Sequence, residues 1–458
     1  MPGRPRYDAA RVNAQTELAA ALEQHRKGQF DPAETAYRTI LAANPRDANA
    51  LHLLGLLLHQ RGRSNEGADL IRQAVLIQPN VPAFYSNLGE ALRAADRLEE
   101  AIDAHIRGVR LKPDFFEGIH NLGGAFGQAN RVTDAIACYR EAIRLRPDDP
   151  EPHWNLAVAL LVSGDLANGF REFEWRLQRP LTRGRPYQRP RWIGEQLSGK
   201  TLLLWSEQGF GDVIQFSRYL PLVKERSGAR VILDVHPELV DLLKQQQLAD
   251  EVVPAHGKAP PAFDAHAPLM SVPYILASTL ETLPRTVPYL APPASRVGEW
   301  AALLPSDGSK KVGIAWAGRP THHNDRRRSM PPALLSALGD VKGVTFVTVQ
   351  PRGATTAPPA DLPLLDLGPR LRDFGDTAAL LSQLDLLISV DTAVVHLAGA
   401  LARPVWTMLP FAPDWRWLLD REDTPWYPTM RLFRQRRVGV WNDVIERVRG
   451  ELAQFSAT

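Results

Sequence analysis

The chain has 458 residues, 44% of them hydrophobic, and its 54 basic and 51 acidic side chains leave a formal charge of +3. That length predicts about two or three domains with ordinary buried cores. So small a charge gives no mandate for nucleic-acid binding, and the single cysteine, Cys138, excludes an internal disulfide. The opening MPGRPRYDAARVNAQTEL lacks the apolar centre of a signal peptide, and the most apolar run, Leu51 to Leu58, is too short to span a bilayer. A soluble, cytoplasmic protein with no membrane span is the expectation.

The first third repeats itself. Pro45, Pro79, Pro113 and Pro147 recur every 34 residues, and Gly55, Gly89 and Gly123 keep the same step behind Leu54, Leu88 and Leu122. Small residues recur at Ala33, Gly67, Ala101 and Ala135, with a larger one four places on at Tyr37, Ile71, His105 and Tyr139. Over about residues 14–149 this resembles the tetratricopeptide repeat, where small positions let two helices pack closely and proline ends the second. A fifth, degenerate unit follows, with Ala157 in the glycine place. The prediction is an α-solenoid over residues 14–178. Such arrays expose a concave face suited to an extended polypeptide. Asn87, Asn121 and Asn155 lie on the first helix of successive units, and a carboxamide both donates to and accepts from a peptide backbone. The row is similar to the asparagine ladder of O-GlcNAc transferase, although asparagine is also common at this repeat position. Leu53 and Ala19 occupy the equivalent upstream places, so any ladder is short.

Arg176 to Arg191, rich in Arg, Pro and Gly, reads as an extended connector with solvated charges, and a linker is set at residues 179–198. From Thr201 strands alternate with helices, the pattern of parallel sheets. Thr201–Trp205, Val231–Val235, Glu251–Val253 and Ala267–Met270 are predicted strands, with helices at Val213–Arg226 and Pro237–Lys244. A Pro-rich stretch between Pro284 and Ser309 is read as the connection to a second half, whose strands are expected at Lys311–Trp316, Val344–Gln350 and Leu386–Val390. A helix at Ala393–Leu401 and a final one at Val440–Phe455 complete it. The expectation is two Rossmann-like domains, residues 199–295 and 309–455.

Three strand-to-helix turns carry residues of chemical interest. Gly209 and Gly211 in QGFGD let a backbone approach a ligand, but the third glycine of a dinucleotide fingerprint is missing. Asp212 beside them is placed either as a base or as a helix-start carboxylate. The loop GRPTHHNDRRRS holds Arg319 and Arg328 among arginines that can neutralise a diphosphate, or simply face water. His322 and His323 are adjacent, a poor spacing for a metal site, and the sequence has no Asp-x-Asp pair. After Val390 come Asp391, Thr392 and His396, where a helix start favours an anion.

The stretches GFGDVIQFSRYLP, VGIAWAGRPTHHNDRRRSM, SVDTAVVHLAGAL and WRWLL…PWYPTMRLFRQ resemble the heptosyltransferase-like glycosyltransferases in their tetratricopeptide-fused form, over about residues 150–450. A more distant similarity is to O-GlcNAc transferase. The resemblance implies a GT-B architecture, a nucleotide-sugar donor as substrate, no cofactor and no metal. It implies Asp212 as candidate base and a donor site at Asp391, Thr392 and His396. Arg328 stands where the family has a phosphate-binding lysine, and Gln350 is a candidate for the nucleobase. Fused proteins of this kind, flagellin-modifying ones among them, imply a serine or threonine acceptor held by Asn87, Asn121 and Asn155. The alternatives are a glycan or lipid-linked acceptor with the repeats as a docking module, and a non-catalytic scaffold.

Overall fold

The computed structural model describes residues 5–180, 185, 187–255, 260–321, 324–350 and 357–457. The chain divides into two compact units, Met1–Ala159 and Leu160–Thr458.

The first unit is built from helix pairs whose period is that of the sequence. First helices begin at Ala48, Pro82 and Phe116 and second helices at Phe30, Ser64, Leu98 and Val132; the same period continues through the helix from Pro150 to one at Leu166, which belongs to the second unit. Each long second helix stops two residues before the repeating proline, as at Ile77 before Pro79. The glycines explain the packing. A Cβ at Gly55 would lie 2.6 Å from Ile71, and one at Gly123 2.7 Å from Tyr139, so the larger residue of each second helix fills the space a side chain would need. The tight turn inside each pair has its own marker, absent from the sequence reading. Gly28, Gly62, Asp96, Asn130 and Gly164, again 34 apart, all have positive φ, the conformation that Gly, Asn and Asp adopt most readily.

The second unit holds two parallel sheets. Strands β1 (Thr201–Trp205), β2 (Arg230–Val235), β3 (Glu251–Pro254) and β4 (Ala265–Pro268) form the first, in the order β3-β2-β1-β4. Strands β5 (Lys310–Ala315), β6 (Val344–Thr348), β7 (Leu364–Leu365), β8 (Leu386–Val390), β9 (Val405–Leu409) and β10 (Met430–Arg434) form the second, in the order β10-β9-β8-β5-β6-β7. All pairings are parallel, and β8 is buried along its whole length. The core of the second sheet gathers Val312, Ile314, Leu386, Ile388 and Met408 with Val444, Val448 and Leu452 of the last helix, Asn442–Ser456.

Three expectations need correction. The helix predicted over Val213–Arg226 is broken: Phe210–Phe216 and Leu220–Ser227 flank a 3-10 turn just before Pro221. The Pro-rich connection contains a helix, Ala294–Ala301, anchored by buried Trp300 and by Arg296 bonded to Asp373 and Asp376. The basic joint is solvated only in part: Arg189 and Arg191 are exposed, but Arg176 and Arg185 turn inward. Arg176 is fully buried, with Glu207 at 2.7 Å and Glu174 at 2.8 Å, and Arg185 reaches Asp234 at 2.7 Å. Arg191 bridges to His266 of β4. Buried carboxylates at the edge of the first sheet draw these arginines in, because a buried charge persists only when paired.

Candidate functional site

In the second sheet β5 is followed in space by β6 on one side and β8 on the other, so the chain changes direction between β5 and β8. Ligands of open parallel sheets bind outside the carboxyl ends of the strands at such a point. The residues emerging there are Ala317, Gly318 and the arginine loop after β5, and Asp391 and Thr392 after β8.

Arg328 ends the short helix Asp325–Arg328, its Nε 3.4 Å from Asp325 Oδ1. Its guanidinium lies across Gly318, where any Cβ would collide with it. Thr392 opens the helix Ala393–Ala400 without closing a cap, its hydroxyl 3.4 Å from that of Ser389. The first N–H groups of this helix are thus free of side-chain capping. One turn in, His396 is buried, its Nδ1 3.1 Å from the Tyr427 hydroxyl and its ring stacked on Trp417 at 5.3 Å. Burial, helped by Arg416 and Arg218, holds its pKa well below the usual histidine range. The imidazole is neutral at physiological pH.

Helix Phe210–Phe216 brings the glycine turn to the same place. Gly211 packs against the second-sheet helix: a Cβ there would stand 2.8 Å from His396 Cδ2 and 3.4 Å from Ala393 Cα. The turn from the first sheet and the Asp391/His396 edge of the second therefore meet. Gly211→Ala is expected to cost about 1–3 kcal/mol by overpacking this joint. An unchanged thermal midpoint would show that the two helices separate freely.

Asp212, three residues into the helix turn, accepts the N–H of Gly209 at 2.7 Å with Oδ2. Its Oδ1 pairs with Arg416, a residue of the Trp-rich tail. Arg416 also donates from Nη1 to Asp414 at 2.8 Å and from Nε to Gln215 at 2.5 Å. Burial raises the Asp212 pKa above the usual carboxylate value, with Arg416 opposing and Asp414 reinforcing the rise. Asp391 is pushed up to about 6, by burial first and then by the Asp414 carboxylate, against the pull of Trp417, Arg328 and Arg416. Three carboxylates and two guanidinium groups thus share one poorly solvated corner.

The other predicted residues have definite places. Gly209 is the N-cap of its helix, and its N–H is taken by Asp212. Arg319 is exposed and stacks 5.2 Å over the ring of Phe210. Gln350 ties the end of β6 to the loop after β5, accepting from Trp316 and Ala317 N–H at 3.3 Å and donating to Ala317 O at 3.0 Å. In the solenoid Asn87 donates to His52 at 2.8 Å, Asn121 to Ser86 at 3.3 Å and Asn155 to His120 at 2.8 Å. Each carboxamide N–H₂ thereby links one repeat to the one before, while the side chains stay half-buried. His322 and His323 lie outside the described residues; among those described, no group of three His, Cys, Asp or Glu side chains is arranged to hold a metal ion. Sequence reasoning missed Asp414, Arg416, Gln215 and Trp417. An arginine between two tryptophans in WRW was the available signal, since such a cation must find buried partners.

Comparison with known proteins places two kinds of match on this geometry. Residues 18–82 and 125–164 match tetratricopeptide repeat families. Residues 358–410, which contain β8, Asp391, Thr392, His396 and β9, match glycosyltransferase family 9 (heptosyltransferase). Protein FlbA of Caulobacter vibrioides is 30% identical over 334 residues, 66% of this chain and 55% of that protein. The chain thus spans about half the length of this relative. Among solved structures, MamA is 24% identical with a TM-score of 0.32, covering 34% of this chain and 92% of its own. A thermophilic tetratricopeptide protein of Thermus thermophilus is 24% identical with a TM-score of 0.33, covering 36% of this chain and 91% of its own. Among the described residues no helix is long and apolar enough to cross a membrane. The chain joins helical repeats that match tetratricopeptide families to an α/β region of parallel sheets, one segment of which matches glycosyltransferase family 9.

Proposed function

We propose that this protein is a glycosyltransferase that moves a sugar from a nucleotide-sugar donor to a hydroxyl of a polypeptide held by the repeats. The observation that carries the reading is the fall of the family 9 match on the carboxyl edge of β8, where Asp391, Thr392 and His396 meet the Asp212 turn. In the proposed reaction Asp212 takes the proton of the acceptor hydroxyl as its oxygen attacks the anomeric carbon. The bond from that carbon to the diphosphate breaks, and Arg328 with the uncapped N–H groups of helix Ala393–Ala400 stabilises the departing charge. The GT-B arrangement, a metal-independent mechanism and the likeness to O-GlcNAc transferase belong to the same proposal.

One observation favours a second reading. Asn87, Asn121 and Asn155 each commit one N–H of the carboxamide to the preceding repeat, which leaves fewer donors for a peptide backbone. That suits a glycan or lipid-linked acceptor, with the solenoid docking a partner. Incubation with UDP-, GDP-, ADP- and CMP-activated sugars tests the enzyme reading. Nucleotide release from at least one donor is expected; none from any, alongside intact partner binding, leaves a scaffold. Changing all three asparagines to alanine is then expected to raise the KM for a polypeptide acceptor several-fold. An unmoved KM would favour the glycan or lipid reading.

A further inference from the structure

We infer that Arg416 is the positioning residue of this site, reaching from the tail after β9 to aim the Asp212 carboxylate and hold it as an anion. The inference rests on the reading of Asp212 as the base. Arg416 sits in the 3-10 turn Trp415–Trp417, whose first N-capping carboxylate, Asp414, also accepts its backbone N–H at 3.0 Å. The guanidinium is buried at 6% exposure and lies 4.3 Å over the Trp415 ring. Its three nitrogens serve three different acceptors: Nε takes Gln215, Nη1 takes Asp414 and Nη2 takes Asp212. A guanidinium fixed on every nitrogen is poorly suited to follow a substrate phosphate. It is well suited to fix a neighbour, because the planar fork sets direction as well as charge.

Asp212 is held at both ends, Oδ1 by Arg416 and Oδ2 by the Gly209 N–H, and each oxygen keeps a lone pair for an acceptor hydroxyl. Its carboxylate is 17% exposed, so one side remains open. The groups facing the pair are Gln215 on the helix of Asp212, Asp414 on the turn of Arg416, His236 after β2, Asp391 after β8, His396 on the helix Ala393–Ala400 and Tyr427 before β10. Of these Asp414 and Asp391 are acids, so Arg416 supplies the cation on which Asp212 depends.

The test is the pH dependence of turnover in full-length Arg416→Gln and Arg416→Lys, using whichever nucleotide sugar of the panel is cleaved. Without Arg416, Asp212 and Asp414 face each other unneutralised, and proton binding by Asp212 strengthens. The acid limb of kcat is expected to move up by about one pH unit or more in the Gln variant. The Lys variant, which restores charge but not the fork, is expected to lie between it and the native profile. A limb that stays in place in both overturns the inference. Should the Gln variant not fold, the Lys variant alone decides. Independently of any substrate, the infrared difference between each variant and its Asp212→Asn double mutant reports the ionisation of Asp212, which is expected to require higher pH without Arg416. An Asp212→Asn enzyme as active as the native one sinks the base reading. An inactive one with unmoved limbs sinks only the role of Arg416.

Discussion

Asp212→Asn is expected to lower turnover by about 10²–10⁴-fold, the range for removing a positioned general base, while leaving donor affinity near native. Asparagine keeps the size of the side chain, and its Oδ1 can accept from Gly209 or from Arg416, but its N–H₂ then meets the other donor, so one of the two bonds that hold the carboxylate is lost. The proton acceptor disappears with it. The native pH profile carries the same signature. Burial sets the Asp212 pKa above the usual carboxylate range even with Arg416 beside it. A base works when deprotonated, so activity falls as pH drops through that raised value, and the acid limb lies above the ordinary aspartate pKa of about 3.9. Kinetics of nucleotide release over pH 4 to 8 would check both points. Turnover that survives the substitution would remove Asp212 from the mechanism.

The largest stability effect is expected from Arg176→Ala, a loss of about 3–5 kcal/mol, because it strands buried carboxylates without their cation. Arg176 is fully buried and donates to Glu207 from Nε at 3.0 Å and Nη2 at 2.7 Å. Nη1 reaches Glu174 at 2.8 Å and the Phe173 carbonyl at 3.1 Å. Burial already raises the Glu207 pKa despite this pairing, whereas at Glu174 burial pushes upward too but Arg176 and Arg191 together outweigh it and keep the pKa low. Removing the guanidinium sends both carboxyls upward. A group whose folded pKa exceeds its unfolded one favours the fold while protonated, and that contribution is lost as pH rises through the folded value. The variant is therefore expected to suffer most at neutral pH and to recover part of its deficit below the unfolded glutamate pKa. Denaturant titrations at pH 4 and pH 7 would show it; an equal deficit at both would mean that packing, not charge, dominates. Glu207 lies two residues before Gly209, so the same change should also blur the turn that presents Asp212.

Much of this molecule was legible in its residues because local physics repeats or alternates. The 34-residue step announced the helix pairs, since each small position must face a larger one for the pairs to close. Strands such as Leu386–Val390 were readable because a strand buried on both faces must be apolar throughout. Asp212, Asp391 and His396 could be named because strand-to-helix turns deliver residues to the sheet edge whatever lies beyond.

Long-range pairing was decided elsewhere. The basic joint looked solvated because composition does not say where carboxylates will be waiting; Glu174, Glu207 and Asp234 turned Arg176 and Arg185 inward. The Pro-rich connection hid a helix whose anchor, Asp376, stands 80 residues from Arg296. Arg416 lies 204 residues from Asp212, and no periodicity links them. Sequence by itself determined the repeats, the alternation of strands and helices and the edge residues, all set within a turn or two of chain. Only the tertiary structure decided which charges are buried together and what holds the candidate base, because those depend on which distant segments exclude water from one another.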